Sequence, residues 1–153
     1  MFPFSAKTLA LLRQAGWSEA YRYDTAGYER LLETEGYPVH QVAVDFMRRF
    51  GGLTITYPHP NPDLKNRTEE LAISVSYNRA HIFRLNAEST SAEVGVDLCY
   101  IGSYHTRDYQ ILMDVAGNAY GDGDTLCHSG SSGEEAIENI CNGSYGRDLY
   151  PDV

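Results

Sequence analysis

The spacing of apolar positions changes period within residues 39–58, VHQVAVDFMRRFGGLTITYP. Val39, Val42, Ala43, Phe46, Met47 and Phe50 recur at three-and-four spacing, with His40, Gln41, Asp45, Arg48 and Arg49 on the other side. This pattern predicts an amphipathic helix lying on a core. Gly51 and Gly52 follow, and Leu53, Ile55 and Tyr57 then alternate with Thr54 and Thr56 before Pro58 and Pro60. The chain therefore passes from a helix through a two-glycine turn into a half-buried strand. Gly51, as the helix-terminating residue, is expected to adopt positive φ.

Upstream, Ser5 is placed to cap a first helix, with Phe4 positioned to staple onto Leu9; Leu9, Leu12 and Ala15 form its apolar face and Gly16 its end. Trp17 follows as a core anchor, and residues 18–24 are expected to be irregular. Thr25 is expected to cap a second helix through Tyr28, Leu31 and Leu32 that stops at Gly36, before Pro38. Downstream, residues 59–70 form a loop rich in proline, asparagine and charge. Leu71, Ile73, Val75 and Tyr77 alternate as a second strand, and a short helix is placed in the 89–94 region. Val96, Leu98 and Tyr100 alternate again. Tyr109–Val115 is a further strand, Ala116, Gly117 and Asn118 a turn, and Ala119 and Tyr120 the start of its hairpin partner. Ser131 with Glu134, or Ser132 with Glu135, has capping-box spacing ahead of Ala136, Ile137, Ile140 and Cys141, so a final helix of about ten residues is expected. The tail from Ser144 reads as loosely held. The fold class is α+β: N-terminal helices, a central mostly antiparallel sheet and a C-terminal helix in one domain over residues 1–153, its core about 4–143.

Composition adds constraints on function. A chain of 153 residues with 42% hydrophobic side chains buries a core without needing staples. Neither a secretory leader nor a membrane-length apolar run is visible, and a cytoplasmic location is expected. Cys99, Cys127 and Cys141 are an odd number without a CxxC pair, which points to reduced core thiols. Residues 1–52 carry six basic and six acidic side chains, and residues 53–153 six and fifteen, so the net charge of −9 belongs to the second part. Direct binding to nucleic acid or an anionic membrane is disfavoured, and a basic protein partner is favoured.

The chain holds no GxSxG elbow, phosphate loop or dinucleotide fingerprint. His40, His59, His81, His105 and His128 are scattered, and none pairs with another at a spacing that builds a metal site. Asp114, Asn118, Asp122 and Asp124 do not follow the EF-hand order, and turn chemistry accounts for them and their glycines. No cofactor is expected, and the reading is a binding module rather than an enzyme. A hydrolase pairing Cys127 or Cys141 with His128 or His105 is the third alternative, after a non-catalytic scaffold or regulatory module.

Five segments together resemble a known family: the helix ending in Gly16-Trp17, the helix ending in Phe50-Gly51-Gly52-Leu53, Tyr100-Ile101-Gly102, the hairpin Ile111-Leu112-Met113-Asp114-x-x-Gly117-x-x-Tyr120, and Glu135-Ala136-Ile137-Glu138-x-Ile140 before Gly143. Over residues 4–143 this order and spacing resembles the SUKH superfamily, specifically its third family of bacterial immunity proteins. The resemblance implies an antidote that binds and neutralises a toxin domain, commonly a nuclease or deaminase, without catalysis. For a basic toxin, the candidate contacts are Asp122, Asp124, Glu134, Glu135 and Glu138, with Tyr104, Tyr109 and Tyr120 as aromatic anchors. The hairpin tip and the final helix are expected to bring those carboxylates together.

Overall fold

The computed structural model describes residues 2–105 and 108–149. Ser5 caps α1 (Ala6–Gln14), its hydroxyl accepting from the Thr8 amide at 3.2 Å. Phe4 meets Trp17 and Phe50 edge-on, and the Trp17 ring stacks on Phe50 at 5.7 Å, so the tryptophan does anchor the helix end in the core. Thr25 stands at the N-terminus of α2 (Ala26–Glu35) without capping it. Its hydroxyl donates to Glu29, and the Asp24 carboxylate takes the Ala26 amide instead.

The amphipathic face of α3 (Gln41–Phe50) buries Ala43, Val44, Phe46, Met47 and Phe50. The glycine turn after it differs from expectation in one residue. Gly51 has φ −59°, and Gly52 carries the positive φ of 80°. Gly51 is confined by crowding instead: a Cβ there would lie 2.4 Å from the Met47 carbonyl oxygen and 2.5 Å from the Tyr23 ring.

The strands β1 (Thr54–Pro58), β2 (Thr68–Ala72), β3 (Cys99–Tyr104), β4 (Tyr109–Met113), β5 (Ala119–Asp122), β6 (Leu126–Gly130) and β7 (Arg147–Asp148) form one antiparallel sheet in sequence order. In this meander each strand pairs with the next in sequence, with a long helix intervening between β2 and β3 and a shorter one between β6 and β7. The long helix, α4 (Tyr77–Val94), takes the Tyr77 end of the expected strand, whose regular part is only Leu71 and Ala72, and it absorbs the short helix expected near 89–94. The alternation of Leu71, Ile73 and Val75 is real, since Ile73 still bonds Leu53 through the backbone. Ser76 then caps α4 by accepting from the Arg79 amide, and Tyr77 lies in a helix rather than a strand.

Thr68 to Glu70, expected as loop, pair with β1 in the register Tyr57↔Glu69. β3 starts at Cys99 and is buried throughout, since α3 packs on it from one side and α4 from the other. A strand covered on both faces has no alternation to read. Ile101 and Ile111 face Phe46, Ile137 and Ile140 of α3 and α5 (Gly133–Cys141). Tyr100, Gln110 and Leu112 lie under Phe83 and Ala87 of α4. β6 was not expected, and β7 falls in the tail that was expected to be loosely held. The segment after Gly143 is held down to Leu149: Ser129 donates to the Tyr145 carbonyl at 2.9 Å, and β7 pairs with β6.

Candidate partner-binding surface

Helix α4 places two kinds of residue on two faces. Its inner face is made of small or flat groups, with Ala80, Ala87 and Thr90 buried and Phe83 packed against the core. The Tyr37 hydroxyl donates to the Ala80 carbonyl at 2.6 Å, and Arg79 reaches Gln110 at 3.2 Å, so the helix is fixed in rotation. The outer face then presents Tyr77, Ile82 and Leu85, the last two 67% and 76% exposed. Burying either aliphatic side chain completely is worth about 1.5–3 kcal/mol, a gain this fold leaves unused. Both apolar sets share one helix, so no single stripe marks it in the sequence.

At the C-terminal end of α4 the surface becomes acidic. Glu93, Asp122, Asp124 and Asp148 line a shallow groove of about 520 Å³ beside the β5–β6 turn. Asp122 is held there by the Thr90 hydroxyl, which donates to its carboxylate. A smaller depression of about 230 Å³, lined by Asn86, Asp108 and Asp122 among others, connects Asp122 to the middle of α4. The apolar face and the acidic groove are thus joined through Asp122.

The residues expected to form one contact face fall into two groups. Asp122 and Asp124 lie at the β5–β6 turn. Glu134, Glu135 and Glu138 lie on α5, which begins only after β6 has run its length back across the sheet, roughly 13 Å at the strand rise per residue. The α5 carboxylates also have work inside the fold. Glu134 pairs with Arg49 at 2.9 Å. Glu138 accepts from the Ser5 amide at 2.6 Å, from the Ser5 and Thr8 hydroxyls, and from Asn142, tying α5 to the start of α1. Burial raises the Glu138 carboxyl, but those donors outweigh it and hold the group below its ordinary value. Glu135 is half-exposed, and its amide donates to Ser132, the residue that caps α5.

Of the three tyrosines, Tyr104 is fully buried and Tyr120 is 9% exposed, so neither presents its ring to a partner. Tyr104 stacks on Tyr109 with centroids 5.1 Å apart, and Tyr145 closes over it at 4.9 Å. Burial pushes the Tyr104 phenol well above its ordinary value, with the Ser129 hydroxyl opposing it. Tyr109 is half-exposed, and its ring packs under Gly123 at the acidic turn.

Asp114 does turn chemistry, accepting from the Ala116 and Asn118 amides at 2.9 Å each. All three cysteines are buried, and burial pushes the Cys99 and Cys141 thiols up to about 12. His128 bonds Asn118 at 3.1 Å and His105 bonds the Tyr145 hydroxyl at 3.1 Å. Among the described residues no cysteine thiol has a histidine ring as its hydrogen-bond partner. Sequence reasoning passed over Ile82, Leu85, Glu93 and Asp148. The first two carried a signal once AHIFRL is read as helix, because two aliphatics three apart must share a face. Among the described residues no helix is long and apolar enough to cross a membrane.

A family model described as SUKH-3 immunity protein matches residues 4–143. No curated protein and no solved structure matches the chain.

Proposed function

The chain belongs to the SUKH-3 immunity protein family, and from that premise we propose that it neutralises a toxin domain by non-catalytic occlusion, using the outer face of α4 and the acidic groove beside it. The observation that carries this reading is the exposure of Ile82 and Leu85 on a helix whose far end opens onto Glu93, Asp122 and Asp124. An apolar strip bordered by charge of one sign matches the anatomy of a protein interface, with a desolvated centre and a polar rim. The partner it fits is a basic domain with an apolar patch edged by lysine and arginine. A nuclease or nucleic-acid deaminase, which must attract phosphate, presents such a surface. Acidic side chains laid over it would repel the substrate while the apolar contact holds the complex, and the antidote would act inside the cell the toxin enters.

The α5 carboxylates and the two buried tyrosines are left out of this face, since Glu134 and Glu138 are committed to intramolecular partners and the rings are covered. Where a toxin domain is encoded directly upstream of this chain, that domain is the partner to test. Co-expression should restore growth of cells producing that domain. Ile82→Ser with Leu85→Ser should weaken binding by roughly 2 kcal/mol, about thirtyfold in Kd, chiefly through faster dissociation. Asp122→Asn with Asp124→Asn and Glu93→Gln should slow association several-fold at low salt and flatten its salt dependence, on the order seen for steered complexes. Unchanged rates in both variants would remove this face from the mechanism while leaving immunity to act elsewhere. A dimer in solution that the Ile82→Ser and Leu85→Ser pair dissolves would assign the strip to a second copy of the chain.

A further inference from the structure

The histidines that look scattered along the chain are not all scattered in the fold. His59 follows β1, Glu69 stands in β2 opposite Tyr57, and His105 follows β3, so the sheet gathers them at one end. One ligand atom from each lies within 4.8 Å of the other two. His59 Nε2 is 3.4 Å from Glu69 Oε1, and His105 Nδ1 is 3.8 Å from the same oxygen. A tetrahedral zinc ion with bonds of about 2.0–2.1 Å needs its donors about 3.3 Å apart, so the two nitrogen–carboxylate spacings are close to those of a loaded site. From this geometry we propose that His59, Glu69 and His105 form a zinc site, with the fourth position open to water.

The surroundings support the assignment. Glu69 is buried, its side chain 10% exposed, and both imidazoles are largely covered on their approach to it. A cation at their centre would be held away from bulk water by protein ligands and balanced by the carboxylate. His105 has φ 54°, the one positive value among the described residues other than glycine. His105 opens the turn after β3, its carbonyl accepting from the Asp108 amide at 3.1 Å, and a left-handed residue is at home in such a turn. His105 Nδ1 meets the Tyr145 hydroxyl at 3.1 Å, and that hydroxyl also lies 3.1 Å from the Tyr57 hydroxyl, a second partner it keeps when the ion takes Nδ1.

Proton placement gives the binding reaction a definite form. The Asn61 amide can only donate, so its 3.0 Å bond to His59 Nδ1 puts that ring's proton on Nε2, facing Glu69. Loading zinc on Nε2 moves the proton to Nδ1, and the exposed Asn61 amide exchanges its ring acceptor for water. At His105 the ion takes the Nδ1 lone pair, and the Tyr145 hydroxyl turns to Tyr57. Two neutral imidazoles and one carboxylate suit zinc better than magnesium or calcium, which prefer oxygen ligands throughout.

The experiment uses the full chain without an affinity tag, stripped with chelator and titrated with zinc chloride by calorimetry at neutral pH. One zinc per chain is expected, with a rise in Tm, and cobalt(II) in its place should give the visible absorption of a four-coordinate site. Glu69→Gln and His105→Gln should each weaken zinc binding at least tenfold, whereas His81→Gln, which removes a pair with Glu35 and a ring contact with Tyr77 but touches none of the three ligands, should leave it unchanged. The ring signals of His59 and His105 in the native chain should shift together during the titration, a readout that does not depend on the variants folding. Absence of saturable binding, or ring signals of His59 and His105 that stay fixed while zinc binds, would overturn the site.

Discussion

Helices α3 and α4 are packed on opposite faces of the same strand, β3, and they use apolar residues in opposite ways. In α3 the large side chains Phe46, Met47 and Phe50 point into the core and the arginines point out. In α4 the buried positions are Ala80, Ala87 and Thr90, while Ile82 and Leu85 face solvent. One helix uses its hydrophobicity to build the fold. The other lies flat on the sheet through small residues and keeps its bulk for the outside. In α3 regular patterning marks the packed face, whereas in α4 the residues that pack are small and the large aliphatic ones are left at the surface.

The largest effect is expected in the core face of α3. Phe46 is 3% exposed, its ring lies 5.2 Å from that of Phe50, and its atoms fill the space a Cβ on Gly133 would need. Phe46→Ala should therefore cost about 3–5 kcal/mol, a large share of the stability of a domain this size. Chemical denaturation would read it as a lowered midpoint with little change in slope. An unchanged midpoint would mean that α3 is not the element holding the two layers together.

The turn after α3 gives the next largest effect. Gly51→Val should destabilise by more than about 2 kcal/mol, because the new atoms collide with the Met47 carbonyl and the Tyr23 ring whatever rotamer is chosen. Gly52→Ala, at φ 80°, should cost about 1 kcal/mol through backbone strain together with a 2.9 Å approach to the Tyr23 ring, with no backbone atom in the way as at Gly51. The ordering of the two variants in a thermal melt checks the assignment. Equal losses would point to a shared conformational cause instead of crowding at Gly51.

What could be read from the sequence follows the same division. The caps at Ser5 and Ser132, the α3 face, the strand after the glycine pair and the final helix are local signals, each complete within a few residues, and the fold keeps them. Thr25 failed as a cap because Asp24, one residue earlier, offered its carboxylate to the same helix end. The length of α4 was hidden because its inner and outer faces are both apolar. β3 was misplaced because cover on both sides removes alternation, and β7 because its two residues form a strand only through pairing with β6. The candidate surface was legible as a charge imbalance but not as a place. The separation of Asp122 from Glu138 depends on which way β6 runs, and the meeting of His59 with His105 on the order of strands between them.

A smaller effect comes from Glu138, which belongs to the structural half of the comparison although its charge suggested the other. Replacing it with glutamine should cost about 1 kcal/mol at neutral pH through weakened bonds to Ser5, Thr8 and Asn142. The sign of its pH dependence follows from the lowered folded-state value. A carboxyl whose pKa falls on folding adds stability above its unfolded value, near 4.3, and loses that contribution as pH drops through the folded value. The native chain and Glu138→Gln should thus differ most near neutral pH and converge on acidification below about pH 4. A constant difference across that window would mean the carboxylate charge contributes nothing and only side-chain shape matters.

The smallest stability effect is expected where the sequence is most hydrophobic for its surroundings. Ile82 and Leu85 are exposed and lie away from the buried inner face of α4, so replacing both with serine removes little native packing. The exchange also removes one good helix former, Leu85, costing a few tenths of a kcal/mol, while Ile82→Ser is nearly neutral in propensity, and it makes the unfolded chain less prone to collapse. These terms are small, and the net change should stay within about 0.5–1 kcal/mol, well below that of the single change at Phe46. Circular dichroism melts of the two variants side by side make the measurement. A loss comparable to that of Phe46→Ala would show that the outer face of α4 is packed in solution, against the chain's own tail or against another copy, and the contrast between the two helices would then collapse. A melt near that of the native chain, together with lower retention on a hydrophobic column, would show a helix whose apolar residues contribute to something other than folding.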